Sequence, residues 1–167
     1  MKILSSLFVL LFCVAAFSVE AQKLGHINSS DLLDLMPEVK KADSTLQVYQ
    51  KQLENQNSSM ISAYQAMLKA YQDSSKIWND IVSEYRQNEI SQMEQNIQDF
   101  QQTAQDKFGS KKDELYSPIL KKADDAIKAV AKANGYAYVF DTSDGSILYS
   151  WDSDDLMPLV KKQLGIQ

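Results

Sequence analysis

The sequence predicts a mainly α-helical chain with a small β part: a long antiparallel coiled-coil hairpin projecting from a small β-rich oligomerisation body, an α+β arrangement. Three observations predict it. Apolar or small residues recur at alternating steps of three and four through most of the chain between Val39 and Asn134. No Gly or Pro interrupts the stretch from Val39 to Phe108. Strand-like and turn-like runs sit only at the two ends of the chain, near Lys23–Asn28 and Tyr136–Trp151.

The first helical limb carries its stripe at Val39, Ala42, Leu46, Tyr49, Leu53, Met60, Ala63, Met67 and Ala70, with Gln56 filling the one missing step. That spacing is the seam of a coiled coil. In the second limb the rhythm runs through Ile90, Met93, Ile97, Phe100 and Ala104. It then shifts by one residue through Phe108, Leu115 and Ile119 to Ala126 and Val130, a stutter that locally relaxes the supercoil. Zipping the limbs pairs Met67 with Met93, Ala63 with Ile97, Met60 with Phe100, Leu53 with Phe108 and Leu46 with Leu115. Every pair is centred near residue 80, so the fold-back falls in Trp78-Asn79-Asp80-Ile81, where Asn and Asp suit a turn. Each limb is then on the order of 60 Å long at 1.5 Å per residue.

Ahead of the hairpin, Lys23–Asn28 reads as a short strand and Asp31–Leu35 as a short helix capped by Ser29 or Ser30. Met36 before Pro37 ends that helix, and Pro37 opens the long limb with Glu38 in its first turn. In the second limb Pro118 predicts a bend where the arm meets the body. Asn134-Gly135 closes the helix. Tyr136–Asp141 reads as a strand, Ser143-Asp144-Gly145 as a hairpin turn, and Ser146–Trp151 as the returning strand. Ser153 or Asp154 caps a last helix, whose apolar face is Leu156, Leu159, Val160 and Leu164. The domain reading is a signal peptide over 1–21, a body from 22–37 and 118–167, and the arm over 38–117 with its tip near residue 80.

Met1–Ala21 has a positive start at Lys2, an apolar run over Ile3–Phe17 and a small-residue cleavage site at Val19-Glu20-Ala21. The expected mature chain starts at Gln22, crosses the inner membrane and lies in the periplasm. Cys13 raises a lipoprotein anchor, but Phe12 stands where a small residue is needed. The mature chain then has no cysteine, so packing or assembly must stabilise it.

The net charge is −5 and Arg86 is the only arginine, which argues against nucleic acid. His26 has no cysteine or second histidine in a ligand spacing and reads as structural. The acids near Gly145 do not fit a calcium loop, because Phe140 stands where the first oxygen ligand belongs. No phosphate-binding glycine loop or nucleophile elbow is present. The sequence therefore predicts no catalytic site, no cofactor and no metal.

Two surfaces exceed what the fold requires. A second apolar stripe (Ile61, Tyr64, Leu68 and Tyr71) runs beside the seam in the distal first limb, and Ile77, Trp78, Ile81, Val82 and Tyr85 follow near the tip. Extra packing inside the hairpin is one account of these residues; a surface for a non-native protein is the other. On the second account Ile61, Tyr64, Leu68, Ile77, Trp78 and Tyr85 are the candidate client-binding residues. In the body, the strands carry more apolar surface than three short strands can hide. Leu24, Ile27, Tyr138, Phe140, Leu148 and Trp151 are the candidate oligomer interface.

The chain ends also carry a resemblance. Lys23-Leu24-Gly25-His26-Ile27-Asn28 followed by Ser30-Asp31-Leu32-Leu33 resembles the opening of the Skp (OmpH-like) periplasmic chaperones. Pro118-Ile119-Leu120 and Ala126-Ile127-Lys128-Ala129-Val130-Ala131 resemble their helix after the arm. Gly135-Tyr136-Ala137-Tyr138-Val139-Phe140-Asp141 and Ser153-Asp154-Asp155-Leu156 resemble their closing strand and last helix. The resemblance implies a homotrimer that acts as an ATP-independent holdase, caging unfolded outer-membrane β-barrel proteins in the periplasm. The best-known members are strongly basic and this chain is acidic, which counts against lipopolysaccharide or membrane contact. The competing reading is a structural or scaffolding coiled-coil protein of the cell envelope.

Overall fold

The computed structural model describes residues 22–166. The signal peptide expected over 1–21 lies outside the described residues. The elements, in order, are β1 (Lys23–Ile27), α1 (Ser29–Leu35), α2 (Pro37–Ser74), α3 (Asp80–Ala133), β2 (Tyr136–Asp141), a 3-10 turn (Asp152–Asp154) and α4 (Met157–Leu164). The chain divides into two units, one from the described residues up to Ser30 together with those from Asp125 on, the other Asp31–Asp124.

The larger unit is a helical hairpin. Pro37 supplies the first position of α2, where its missing N–H costs nothing, and Met36 before it is extended. At 38 residues α2 is about 57 Å long. It ends at Ser74, and after a short turn Asn79 starts α3. The Asn79 side chain accepts the Val82 N–H at 2.9 Å, and its carbonyl accepts the Ser83 N–H at 3.0 Å. This is an N-cap, with Asp80 in the first turn at the positive end of the helix. α3 runs through Pro118 as one helix of 54 residues, so the proline does not end it. Side-chain bonds that join the limbs include these four: Lys122 to Glu38, Tyr116 to Asp43, Gln101 to Asn57 and Gln87 to Tyr71. All four are symmetric about residues 79–80, which is the register the periodicity implies.

The smaller unit holds a two-stranded parallel sheet, with Leu24 opposite Tyr138 and Ile27 opposite Asp141. Asn134 and Gly135 close α3, Gly135 at φ +71°, a left-handed conformation that side chains disfavour. Asp141 ties the end of β2 to the start of α1. It accepts the Ser29 N–H at 3.1 Å, the Ser143 N–H at 2.9 Å and the Ser29 hydroxyl. Ser29 is thus committed to Asp141. Burial alone would raise the Asp141 pKa, but the Ser29 and Ser143 donors outweigh it and hold the carboxyl at about 2. The folded-state pKa is depressed, so this stabilisation is present above the unfolded value near 4 and is lost as pH falls through about 2. Urea midpoints should therefore fall between pH 4 and pH 2, and Asp141→Asn should remove much of that fall while lowering stability at neutral pH.

The sequence reading is corrected in two places here. The turn at Ser143–Gly145 forms, with Asp144 accepting the Ser146 N–H at 2.9 Å and Gly145 at φ +73°. The returning strand Ser146–Trp151 does not form. By Asp155 the chain has reached β1, where Asp155 bridges to His26 and the Leu156 N–H donates to the His26 carbonyl at 2.9 Å. Ile27, paired on the β2 side, takes its carbonyl bond from Thr142. Neighbouring carbonyls of a strand point to opposite edges, so Asp155 lies on the β1 edge away from β2. Residues 146–151 lead from β2 toward β1, where the Trp151 carbonyl already lies 3.0 Å from His26 Nε2, and they do not pair with β2 on the way. The second correction is the start of the last helix. Leu156 stands at its N-cap without a side-chain bond, and Asp155, one residue earlier, accepts the Met157 N–H at 2.8 Å.

The smaller unit buries Ile27, Ala126, Val130, Leu156 and Val160. Gly25 sits in this packing. A Cβ there would lie 2.4 Å from Leu156 Cδ1 and 2.8 Å from the Tyr136 ring. Leu156 is fully buried and has no room to retreat. Gly25→Ala should cost about 1–3 kcal/mol of stability, read as a lower urea midpoint at unchanged slope.

Candidate functional site

The hairpin is packed unevenly along its length. Near its start Val39, Ala42 and Leu46 of α2 are buried, as are Ile119 and Ala123 of α3. Between Leu46 and Ile119 no side chain reaches that state. The seam residues Leu53, Met60, Met67, Met93, Ile97, Phe100 and Phe108 are all half-buried, and Ala63 and Ala70 are exposed. Two helices shield each other on one side only, so these seam residues keep solvent at their flanks.

The second stripe lies where the sequence places it. Ile61, Tyr64 and Leu68 are half-buried on α2, as is Tyr71, which packs edge-on against Trp78 with ring centroids 5.8 Å apart. That contact and the 2.6 Å bond from Gln87 to the Tyr71 hydroxyl hold Trp78 half-buried in the turn. Ile77 and Tyr85, by contrast, are 83% and 59% exposed. Ile81 and Val82, also exposed, belong with them; they were visible in the sequence as apolar residues in a first helical turn, although outside the candidate set. The candidates therefore form two groups, a half-buried stripe on α2 and an exposed apolar end at the turn.

The charges around this end are mostly paired. Arg86 donates to Glu89 at 2.6 Å, and Lys69 to Asp73 at 3.1 Å. Glu89 also accepts from the Tyr85 hydroxyl and so raises its pKa. These pairs are exposed and weak, and they leave no concentrated positive field.

In the smaller unit Leu24, Tyr138, Phe140, Leu148 and Trp151 are exposed, Leu148 at 95% and Trp151 at 67%. Tyr138 and Phe140 stack at 6.5 Å. Tyr149, absent from the candidate set, is exposed beside them. Ile27 is a correction: it is only 2% exposed, buried within its own chain, and has no surface to offer a partner. The period of two put Ile27 on an apolar face, and the single chain already covers that face. His26 is half-buried and its Nε2 lies 3.0 Å from the Trp151 carbonyl, a bond that ties the 146–151 segment to β1.

Among the described residues no cluster of three His, Cys, Asp or Glu side chains is placed to hold a metal. No helix among them is long and apolar enough to cross a membrane.

A family described as outer membrane protein (OmpH-like) matches residues 23–164. The chain belongs to the OmpH-like family. The match takes in both helical limbs and both strands of this OmpH-like protein. Among solved structures it is similar to a candidate outer membrane chaperone (OmpH-like) from Caulobacter crescentus CB15, with a TM-score of 0.74 and 14% identity over 86% of this chain and 84% of that one. At that identity the likeness establishes the shared fold. No curated protein matches the sequence significantly.

Proposed function

We propose that this OmpH-like protein is an ATP-independent holdase chaperone of the periplasm. In this reading it takes unfolded outer-membrane β-barrel proteins between the helical hairpins of a homotrimer and prevents their aggregation. One observation carries the reading: a hairpin whose apolar residues stay half-buried along most of its length and whose Ile77, Ile81, Val82 and Tyr85 are exposed around its turn. Isolated exposed apolar residues are ordinary, but a run of them along one element marks a surface for apolar partners. The family membership and the description of the Caulobacter structure point to the same role. On this proposal residues 22–37 and 118–167 form the oligomerising body, 38–117 form the arm, and residues 1–21 are removed on export.

The mechanism follows from the residues. Fully burying one large apolar side chain gains about 1.5–3 kcal/mol, and a loose client buries each only in part. No single contact then fixes a client conformation. Capture becomes tight because, after one arm engages, the others act at high local concentration. The test is dilution of a urea-denatured β-barrel outer-membrane protein into buffer with the mature chain. A holdase suppresses light scattering at near-stoichiometric amounts without nucleotide. Scattering unchanged by the protein would remove the proposal and leave a structural coiled coil.

A further inference from the structure

Half-way along the hairpin a shallow groove of about 520 Å³ opens between α2 and α3. Its volume falls within the range of ligand-binding clefts. The floor is Leu53, Phe100, Ala104 and Phe108, and the rim is mainly amides, among them Gln50, Asn57 and Gln101. The room comes from the sequence: Ala104 stands at the seam step opposite Gln56, where most steps carry a larger apolar residue, and the register shifts just beyond it. We infer that this groove binds a short, uncharged, extended segment of an unfolded polypeptide, with one large apolar or aromatic side chain set against Ala104. The inference rests on the holdase reading and names what this part of the hairpin recognises.

The rim identifies the occupant. The side chains lining the groove include no cation, and the single charged one is Glu54. Glu54 already accepts from Gln50 at 2.9 Å and pairs with Lys51. With its one carboxylate already paired, the lining offers a charged segment of either sign no opposite charge, so nothing offsets the cost of desolvating a charged ligand there. The amides can both donate to and accept from an extended backbone. The one bond that spans the groove, from Gln101 to Asn57, is stretched to 3.5 Å and is weak. A bound backbone can replace it at little cost. From Gln50 to Asn57 the helix rises about 10 Å, which is about three residues of extended chain. The groove therefore reads one or two side chains rather than a folded surface.

The probe is a fluorescein-labelled, otherwise uncharged peptide of about ten residues alternating Ser and Phe, with a Ser/Asp counterpart, titrated into the mature protein. The expected result is binding of the Phe peptide and none of the Asp peptide. Ala104→Leu fills the groove from within the seam. It should raise the melting temperature and weaken the Phe peptide about tenfold. Ala104→Ser keeps the groove open and should bind within about twofold of wild type. Gain of stability with loss of binding is an outcome that a merely structural role for Ala104 would not give. Equal binding by Ala104→Leu and wild type overturns the inference. A second measurement does not depend on that variant folding: a benzophenone in place of one Phe should cross-link wild type within residues 50–57 and 100–108, and cross-links confined elsewhere also overturn it. If either overturning result is seen while the wild-type protein still keeps a denatured β-barrel protein soluble, the groove assignment fails and the holdase reading stands. If solubility is not protected, the holdase reading fails with or without the groove.

Discussion

The mature protein should sediment as an oligomer at low micromolar concentration, with no stable folded monomer, and Leu148→Ser with Trp151→Ser should break it apart. The physical basis lies in the smaller unit. Five large side chains of the sequence-derived interface (Leu24, Tyr138, Phe140, Leu148 and Trp151) are exposed together on a unit with one two-stranded sheet. A two-stranded sheet is marginal alone in water. Among the described residues the outer edge of β2 has no partner strand, which leaves backbone groups ready for pairing. Full burial of Leu148 and Trp151 would contribute about 3–6 kcal/mol per subunit, so losing both should shift dissociation by two to four orders of magnitude. Sedimentation velocity of wild type and the double variant checks this, with a trimer as the expected wild-type mass. A compact wild-type monomer that melts cooperatively would rule the expectation out. Ile27→Val, at a position buried inside the chain, should leave the mass unchanged.

Replacing Ile61, Tyr64 and Leu68 together with Ser should abolish most of the anti-aggregation activity while the oligomer stays intact. These three residues lie on one face of α2, half-buried, and none of them belongs to the unit that carries the interface candidates. Because they already keep part of their surface in water, removing them costs the hairpin less than a core substitution would. The loss to a client is larger, because every arm of an assembly loses three contacts at once and the effect multiplies. Helical content by circular dichroism and mass by sedimentation should match wild type, while light scattering of a diluted β-barrel protein should approach the chaperone-free level. Unchanged activity would mean that the stripe serves only hairpin packing. Salt gives an independent reading of the same mechanism. With −5 net charge and its lone Arg86 paired to Glu89, the chain has little positive field to screen. Raising salt to physiological strength should weaken client binding only a few-fold. A collapse of binding would show charge steering instead.

The long-range plan of this protein was readable from the residues alone. A three-four repeat carried by two limbs between Val39 and Val130 can bury itself only against another helix, and the pairing of the limbs centres the fold-back near residue 80, beside the observed break between Ser74 and Asp80. Pro37 and Gly135 mark helix ends through backbone geometry that does not depend on distant contacts. Local chemistry settled these points, so the sequence sufficed. What tertiary structure decided lies at the ends of the chain. The residues of 146–151 have strand-like alternation, yet a strand exists only where an edge is offered. The chain's return to β1 at Asp155 leaves that segment leading from β2 toward β1 rather than pairing with β2. Ile27 and Leu24 are both apolar residues of β1 but lie on opposite faces, and the folded chain buries the first and leaves the second exposed. Likewise Ala104 read as one seam residue among others, until the two limbs came together and left a groove beside it. Periodicity specifies which face of an element is apolar; what covers that face depends on segments far away in the sequence, and only the folded chain brings them there.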